Sequence, residues 1–154
     1  MIEPGSKSKD LCYESGMQEI APVVVHASER QPEGWVTADG ARLTWRTLIS
    51  GDRDPTRGLT AGITEIPATS LPVALHRHAP DELYFFVSGV GTVTIDGVEH
   101  PVRDGTTVFV PGNRWHGVHN PGPELLRLFY AFAVDSFTDV EYEYPPGTPP
   151  PRWD

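Results

Sequence analysis

The chain has 154 residues, enough for one domain of ordinary size with a real core and too few for a second. Its 12 Lys and Arg against 21 Asp and Glu give a formal net charge of −9, a surface that a phosphate backbone or an anionic membrane face would repel, so neither nucleic acid nor a membrane is an expected partner. One cysteine, Cys12, excludes an internal disulfide and a Cys-cluster zinc site, while 15 Gly and 16 Pro are too much punctuation for a helix bundle and suit short strands joined by turns.

The first ten residues, MIEPGSKSKD, carry no apolar core of the kind a secretory signal needs, and no apolar run approaches the ~18 residues of a membrane span. The expectation is a cytoplasmic protein. Residues 1–33 read as a polar arm in which Val23, Val24 and Val25 form a strand-like run, expected to add an edge strand. Residues 34–144 carry a regular pattern. Arg42–Ile49 alternates, with Leu43, Trp45, Thr47 and Ile49 on one face. Further β-rich runs follow at 59–66, 73–78 and 82–87, the last closed by Gly89. Residues 91–95 and 98–102 flank Asp96-Gly97, a strong hairpin signal. Runs at 106–110 and 115–119 end at Pro111-Gly112 and Asn120-Pro121-Gly122. The longest apolar run, 125–134, is rich in aromatics and reads as strand rather than helix. Residues 145–154, PPGTPPPRWD, should form an extended proline-rich tail. Strands at this spacing predict an all-β antiparallel sandwich or barrel.

The chemically informative stretch is His76-Arg77-His78-Ala79-Pro80-Asp81-Glu82. On an extended segment residues i and i+2 share a face, so His76 and His78 project together and Arg77 points the other way. Pro80 breaks the segment, and Glu82 opens a strand returning beside it. His116, after the Pro111-Gly112-Asn113 turn, is a fourth candidate ligand, and Trp115 beside it should face the opposite side. Three imidazoles and one carboxylate suit one divalent transition metal, Fe, Ni, Mn, Zn or Cu, and leave positions open for a small-molecule substrate. His26, His100 and His119 stand outside this pattern and are given no role.

This sequence resembles the cupin superfamily. HxHxxxE followed after six residues by Gly is its first motif, matched by His76, His78, Glu82 and Gly89; Gly, five residues, Pro, then His and Asn is its second, matched by Gly105, Pro111, His116 and Asn120. Two positions depart: Ser70 and Asn113 stand where the motifs have glycine, and Asn tolerates a left-handed backbone. The resemblance implies a cupin-type jelly-roll β-barrel with the metal inside.

A narrower resemblance, from Trp45 to Tyr142, is to the small single-domain cupin dimethylsulfoniopropionate (DMSP) lyases. It is carried by Leu48-Ile49, Gly58-Leu59, Glu65-Ile66, Glu82-Leu83-Tyr84, Gly112-Asn113, Glu124-Leu125 and the run from Asp135 to Tyr142. It implies a β-elimination giving dimethyl sulfide and acrylate, with Tyr84 and Tyr142 in the active site. Tyr84 lies two residues past Glu82, so strand geometry alone puts both on one face. A nearby cation favours its phenolate and lowers its pKa towards that of a working base. A sulfonium has no hydrogen-bond donor, and aromatic faces are its natural partners; Phe86, Tyr130 and Phe132 are the expected pocket residues, with plain hydrophobic core as the competing reading. A non-heme iron dioxygenase, an isomerase or decarboxylase on a small carbonyl or carboxylate, and a binding module without catalysis stay open. An exposed barrel edge and the arm suggest a homodimer.

Overall fold

The structure is a computed structural model and describes residues 20–37, 40–70, 72–148 and 150–153; Cys12 and most of the predicted arm lie outside them. Among the described residues ten strands run in chain order: β1 (Glu33–Val36), β2 (Arg42–Ile49), β3 (Thr60–Ile66), β4 (Glu82–Ser88), β5 (Val90–Ile95), β6 (Val98–Arg103), β7 (Thr107–Val110), β8 (His116–His119), β9 (Leu126–Phe132) and β10 (Arg152–Trp153). Two 3-10 turns, Ala27–Glu29 and Phe137–Asp139, are the helical elements among the described residues, and none of these is long and apolar enough to cross a membrane.

Seven strands form one antiparallel sheet in the order β10-β1-β2-β3-β9-β4-β7, and three form a second in the order β6-β5-β8. Period-two burial explains how they close on each other. On β4, Glu82, Tyr84 and Phe86 are buried while Leu83, Phe85 and Val87 face out. Leu126, Leu128, Tyr130 and Phe132 on β9 are buried in the same alternation. The second sheet answers with Val93, Val102 and Val118, so the core is the space between two inward faces. This is the expected all-β jelly-roll barrel. The Asp96-Gly97 hairpin forms with φ +47° and +82°, the left-handed pair a tight hairpin needs. Asn113 takes φ +63°, which explains how asparagine serves there in place of glycine.

Three segments differ from the sequence reading. Residues 73–78 do not form a continuous strand. His76 bridges His116 on one side and Arg77 bridges Glu143 on the other, each as an isolated pair. The segment is extended, but its two neighbours each meet it too briefly to build a ladder. The valine run of the arm joins no strand among the described residues, and Val24 is 97% exposed. The proline-rich tail is not wholly free: its end returns as β10 and pairs with β1, Val36 opposite Arg152. Neither β1 nor β10 is long enough for its alternation to be read, and pairing, not pattern, creates them.

Candidate metal centre

His76 and His78 come from the bridging segment, Glu82 from the first residue of β4 and His116 from the first residue of β8. One donor atom from each lies within 4.8 Å of the others, and all four residues are buried. Ring centroids of His76 and His78 stand 4.4 and 4.8 Å from that of His116. The Pro111-Gly112-Asn113 turn sets this geometry. Gly112 N donates to Asp81 Oδ1 (2.7 Å) and Asn113 N to the His78 carbonyl (2.7 Å), tying the turn before β8 to the segment that carries His78 and Glu82. A Cβ on Gly112 would overlap the Ala79 carbonyl, so only glycine allows this approach.

Each imidazole is oriented through its Nδ1. His76 Nδ1 lies 2.8 Å from the Ala74 carbonyl, His78 Nδ1 2.9 Å from Pro80 O, and His116 Nδ1 2.7 Å from Arg114 O. A carbonyl only accepts, so each Nδ1 carries the proton and the neutral ring presents the Nε2 lone pair inward. The Nε2 atoms of His78 and His116 both stand 3.2 Å from Glu82 Oε2. Lone pairs facing a carboxylate oxygen repel unless a proton or a cation sits among them. His116 Nε2 is buried without any well-aligned hydrogen bond. The donor set and this orphaned atom fit a divalent cation held by His76, His78, Glu82 and His116.

The electrostatics agree. Burial, and then the neighbouring His116, push His76 down to about 4, so it is neutral near pH 7. Burial alone would raise Glu82, but a proton on Nε2 of His116 or His78, the position a cation would take over, supplies hydrogen bonds and charge that outweigh burial and hold the carboxyl at about 2. Tyr84 donates its phenolic proton to Glu82 Oε2 at 2.7 Å. Burial, with the Glu82 charge beside it, pushes this phenol well above its ordinary range. Burial and the same carboxylate also raise Tyr142. Without a cation, then, both tyrosines are held as phenols, the reverse of the shift expected beside a bound ion.

A cavity adjoins the ligands, with about 80 Å³ in which the centre of a water molecule fits. Of the residues that the sequence singled out, His76, Glu82, Tyr84, Tyr130, Phe132 and Tyr142 line it. Tyr142 places its ring 5.2 Å from His76 and 5.6 Å from His78. Phe132 packs 5.1 Å from His78, and the Tyr130 hydroxyl is engaged by Thr47 at 3.2 Å. Phe86 does not line the cavity. Two residues further along β4 than Tyr84, it is fully enclosed and serves the core.

Sequence reasoning missed Trp35, Trp45 and Phe137 as part of the same lining. Trp35 meets Trp45 edge-on at 5.5 Å and Tyr142 at 6.5 Å, and Phe137 lies 6.4 Å from Tyr142. The inward face of β2 signalled Trp45. Phe137 is placed by a capping box in which Ser136 and Asp139 close the turn around it, a signal readable in Ser-Phe-Thr-Asp. Arg77 and Trp115 face away from the centre, as expected, with the guanidinium 4.7 Å from the indole centroid. Among the unassigned histidines, His26 caps the first 3-10 turn and His119 lies 3.1 Å from the Thr69 carbonyl; both are structural.

Comparison with known proteins agrees with this architecture. Residues 62–132 match the family model of the Cupin_2 cupin domain. The chain is 39% identical over 124 residues to dimethylsulfoniopropionate lyase DddW of Ruegeria pomeroyi, covering 80% of each chain. Among solved structures it is similar to a cupin-2 domain protein of Rhodospirillum rubrum, with TM-score 0.66, 16% identity and 84% of each chain covered. It is also similar to a predicted oxalate decarboxylase of Thermotoga maritima, with TM-score 0.63 and 23% identity over 73% of this chain and 99% of that one. At such identities the structures speak for the fold alone. Fold, ligand quartet and sequence relatives together establish that the chain belongs to the cupin superfamily, as a single-barrel relative of a DMSP lyase.

Proposed function

We propose that the chain is a metal-dependent carbon–sulfur lyase that converts DMSP, or a closely related onium carboxylate, to dimethyl sulfide and acrylate. The observation that carries this reading is the Tyr84 hydroxyl, 2.7 Å from the ligand carboxylate and open to an aromatic cavity, in a chain 39% identical to a DMSP lyase. A divalent ion on His76, His78, Glu82 and His116 would supply Lewis acidity towards the substrate carboxylate and a positive field that favours the Tyr84 phenolate. Metal identity is left between Fe, Ni, Mn, Zn and Cu by three His and one Glu.

The chain's own residues account for the remainder. As the phenolate, its own proton already released to solvent, the Tyr84 oxygen accepts the proton from the carbon next to the substrate carboxylate. The C–H electron pair forms the new C=C bond, and the C–S bond breaks with its pair leaving on sulfur as neutral dimethyl sulfide. Trp35, Trp45, Phe137 and Tyr142 supply aromatic rings, whose faces suit a cation that has no donor of its own. They also exclude water from the reacting carbon. Because burial and the Glu82 charge hold Tyr84 as a phenol in the ion-free site, turnover should require the metal. Positioned bases of this kind contribute roughly 10²–10⁴-fold.

The test is headspace dimethyl sulfide after incubation with DMSP and, separately, Fe(II), Ni(II), Mn(II), Zn(II) or Cu(II). Metal-dependent release of dimethyl sulfide with stoichiometric acrylate supports the reading. No release with any ion, together with O₂ uptake on a dicarbonyl substrate, would assign the dioxygenase reading instead.

A further inference from the structure

The outward face of the ligand-bearing segment carries an arrangement that the elimination does not use. Arg77, between His76 and His78, points away from the centre. Its guanidinium donates to Glu143 Oε2 from two nitrogens, at 2.9 and 2.7 Å, and stacks over the Trp115 ring next to His116. Beneath this ion pair the two backbones exchange a reciprocal pair of hydrogen bonds, Arg77 N to Glu143 O at 3.0 Å and Glu143 N to Arg77 O at 2.9 Å. Residues 140–144 run past as an extended strap. Val140 and Tyr142 turn into the protein, while Glu141 and Glu143 are exposed. The strap delivers the Tyr142 ring to the ligands, yet its bridge to the ligand segment is a single isolated pair.

We propose that Arg77 and Glu143 are positioning residues: their ion pair, braced on Trp115, latches residues 140–144 over the metal centre and fixes Tyr142 against the substrate. One bridge sets register weakly, and a segment held by so few backbone bonds opens locally at small cost. Two guanidinium nitrogens on one carboxylate, with an indole beneath, add direction to that bridge. The side chains are 36% and 60% exposed, so the latch is screened by salt and its effect is a modest factor, not an all-or-none one. Arg77 is also the residue that flanking by two inward histidines forces outward, so the same backbone that aims the ligands aims the latch.

The experiment is hydrogen–deuterium exchange on the full chain, in the ion-free and the metal-reconstituted forms, comparing the parent with Arg77→Gln and Glu143→Gln. Exchange over 140–144 should quicken ~3–10-fold in either variant, the range of an exposed ion pair with a cation–π contact, while β4 stays unchanged. Rising salt should quicken the parent towards the variants and leave the variants where they are. The reversed pair, Arg77→Glu with Glu143→Arg, should recover part of the protection. In the kinetic arm, which rests on the lyase reading, KM for DMSP should rise by the same factor at unchanged kcat, because saturating substrate closes the strap. Unchanged exchange at 140–144 in both variants would overturn the latch, as would an equal rise across β4, which marks general loosening. The exchange arm needs no turnover, so failure of the lyase reading and failure of the latch are told apart.

Discussion

The ion-free protein should lose stability in mild acid, and His76 sets where. Burial and the neighbouring His116 hold this imidazole at about 4 against an ordinary 6.5. As pH falls through 6.5 the unfolded chain takes up a proton on His76, whereas the folded chain resists until near 4. Between those values the unfolded state binds more protons, so the His76 contribution falls with pH across that window and levels off below it, where Glu82, held at about 2 against an ordinary 4.5, continues the loss. At 1.36 kcal/mol for each tenfold change, the full His76 loss is about 3 kcal/mol, most of it incurred by pH 4.5. That is a large share of the 5–15 kcal/mol typical of a domain. Urea unfolding of chelator-treated protein at pH 7.5, 6.5, 5.5 and 4.5 gives the slope, and His76→Gln isolates the residue responsible. The variant should be flatter between pH 6.5 and 4.5 by about 2–3 kcal/mol. Identical slopes in parent and variant would refute the assignment of the buried neutral imidazole.

Other substitutions separate the parts of the site. Tyr84→Phe should keep its metal and lose turnover by roughly 10²–10⁴-fold; full activity in that variant, with loss in Tyr142→Phe, would transfer the base to Tyr142. Gly112→Ala puts a Cβ onto the Ala79 carbonyl and shifts the turn that aims His116, so metal affinity measured by competition with a chelator should fall by roughly 10–100-fold. Asn120 is fully buried and serves Ile66 O, Glu124 O and Gly122 N, each at 2.8 Å. Asn120→Ala should cost about 3 kcal/mol in denaturant titration without altering metal stoichiometry once folded.

The ligand quartet was legible because each of its members sits in a local pattern. His76 and His78 obey the two-residue period, Glu82 opens a strand after Pro80, and His116 follows a turn whose Gly112 and Asn113 announce a backbone that other residues resist. The hairpin at Asp96-Gly97 was legible for the same reason. Long-range placement was not. Trp35 reaches the cavity only because β1 pairs with β2, and a four-residue strand carries too little alternation to signal itself. Alternation also cannot say which partner a segment meets, so residues 73–78 read as one strand although His76 and Arg77 bridge different neighbours. Phe86 shows the converse limit. An inward direction is written in the sequence, but whether that direction ends in cavity or in core is decided by the facing sheet.

The most direct test of the central claim is elemental analysis of the reconstituted protein beside His116→Ala, which removes a buried Nε2 that has no well-aligned partner. The predicted result is one divalent transition ion per chain in the parent and a loss of that ion in the variant. A parent that holds no ion after reconstitution, or a His116→Ala protein that holds it equally well, would contradict a metal centre built on His76, His78, Glu82 and His116.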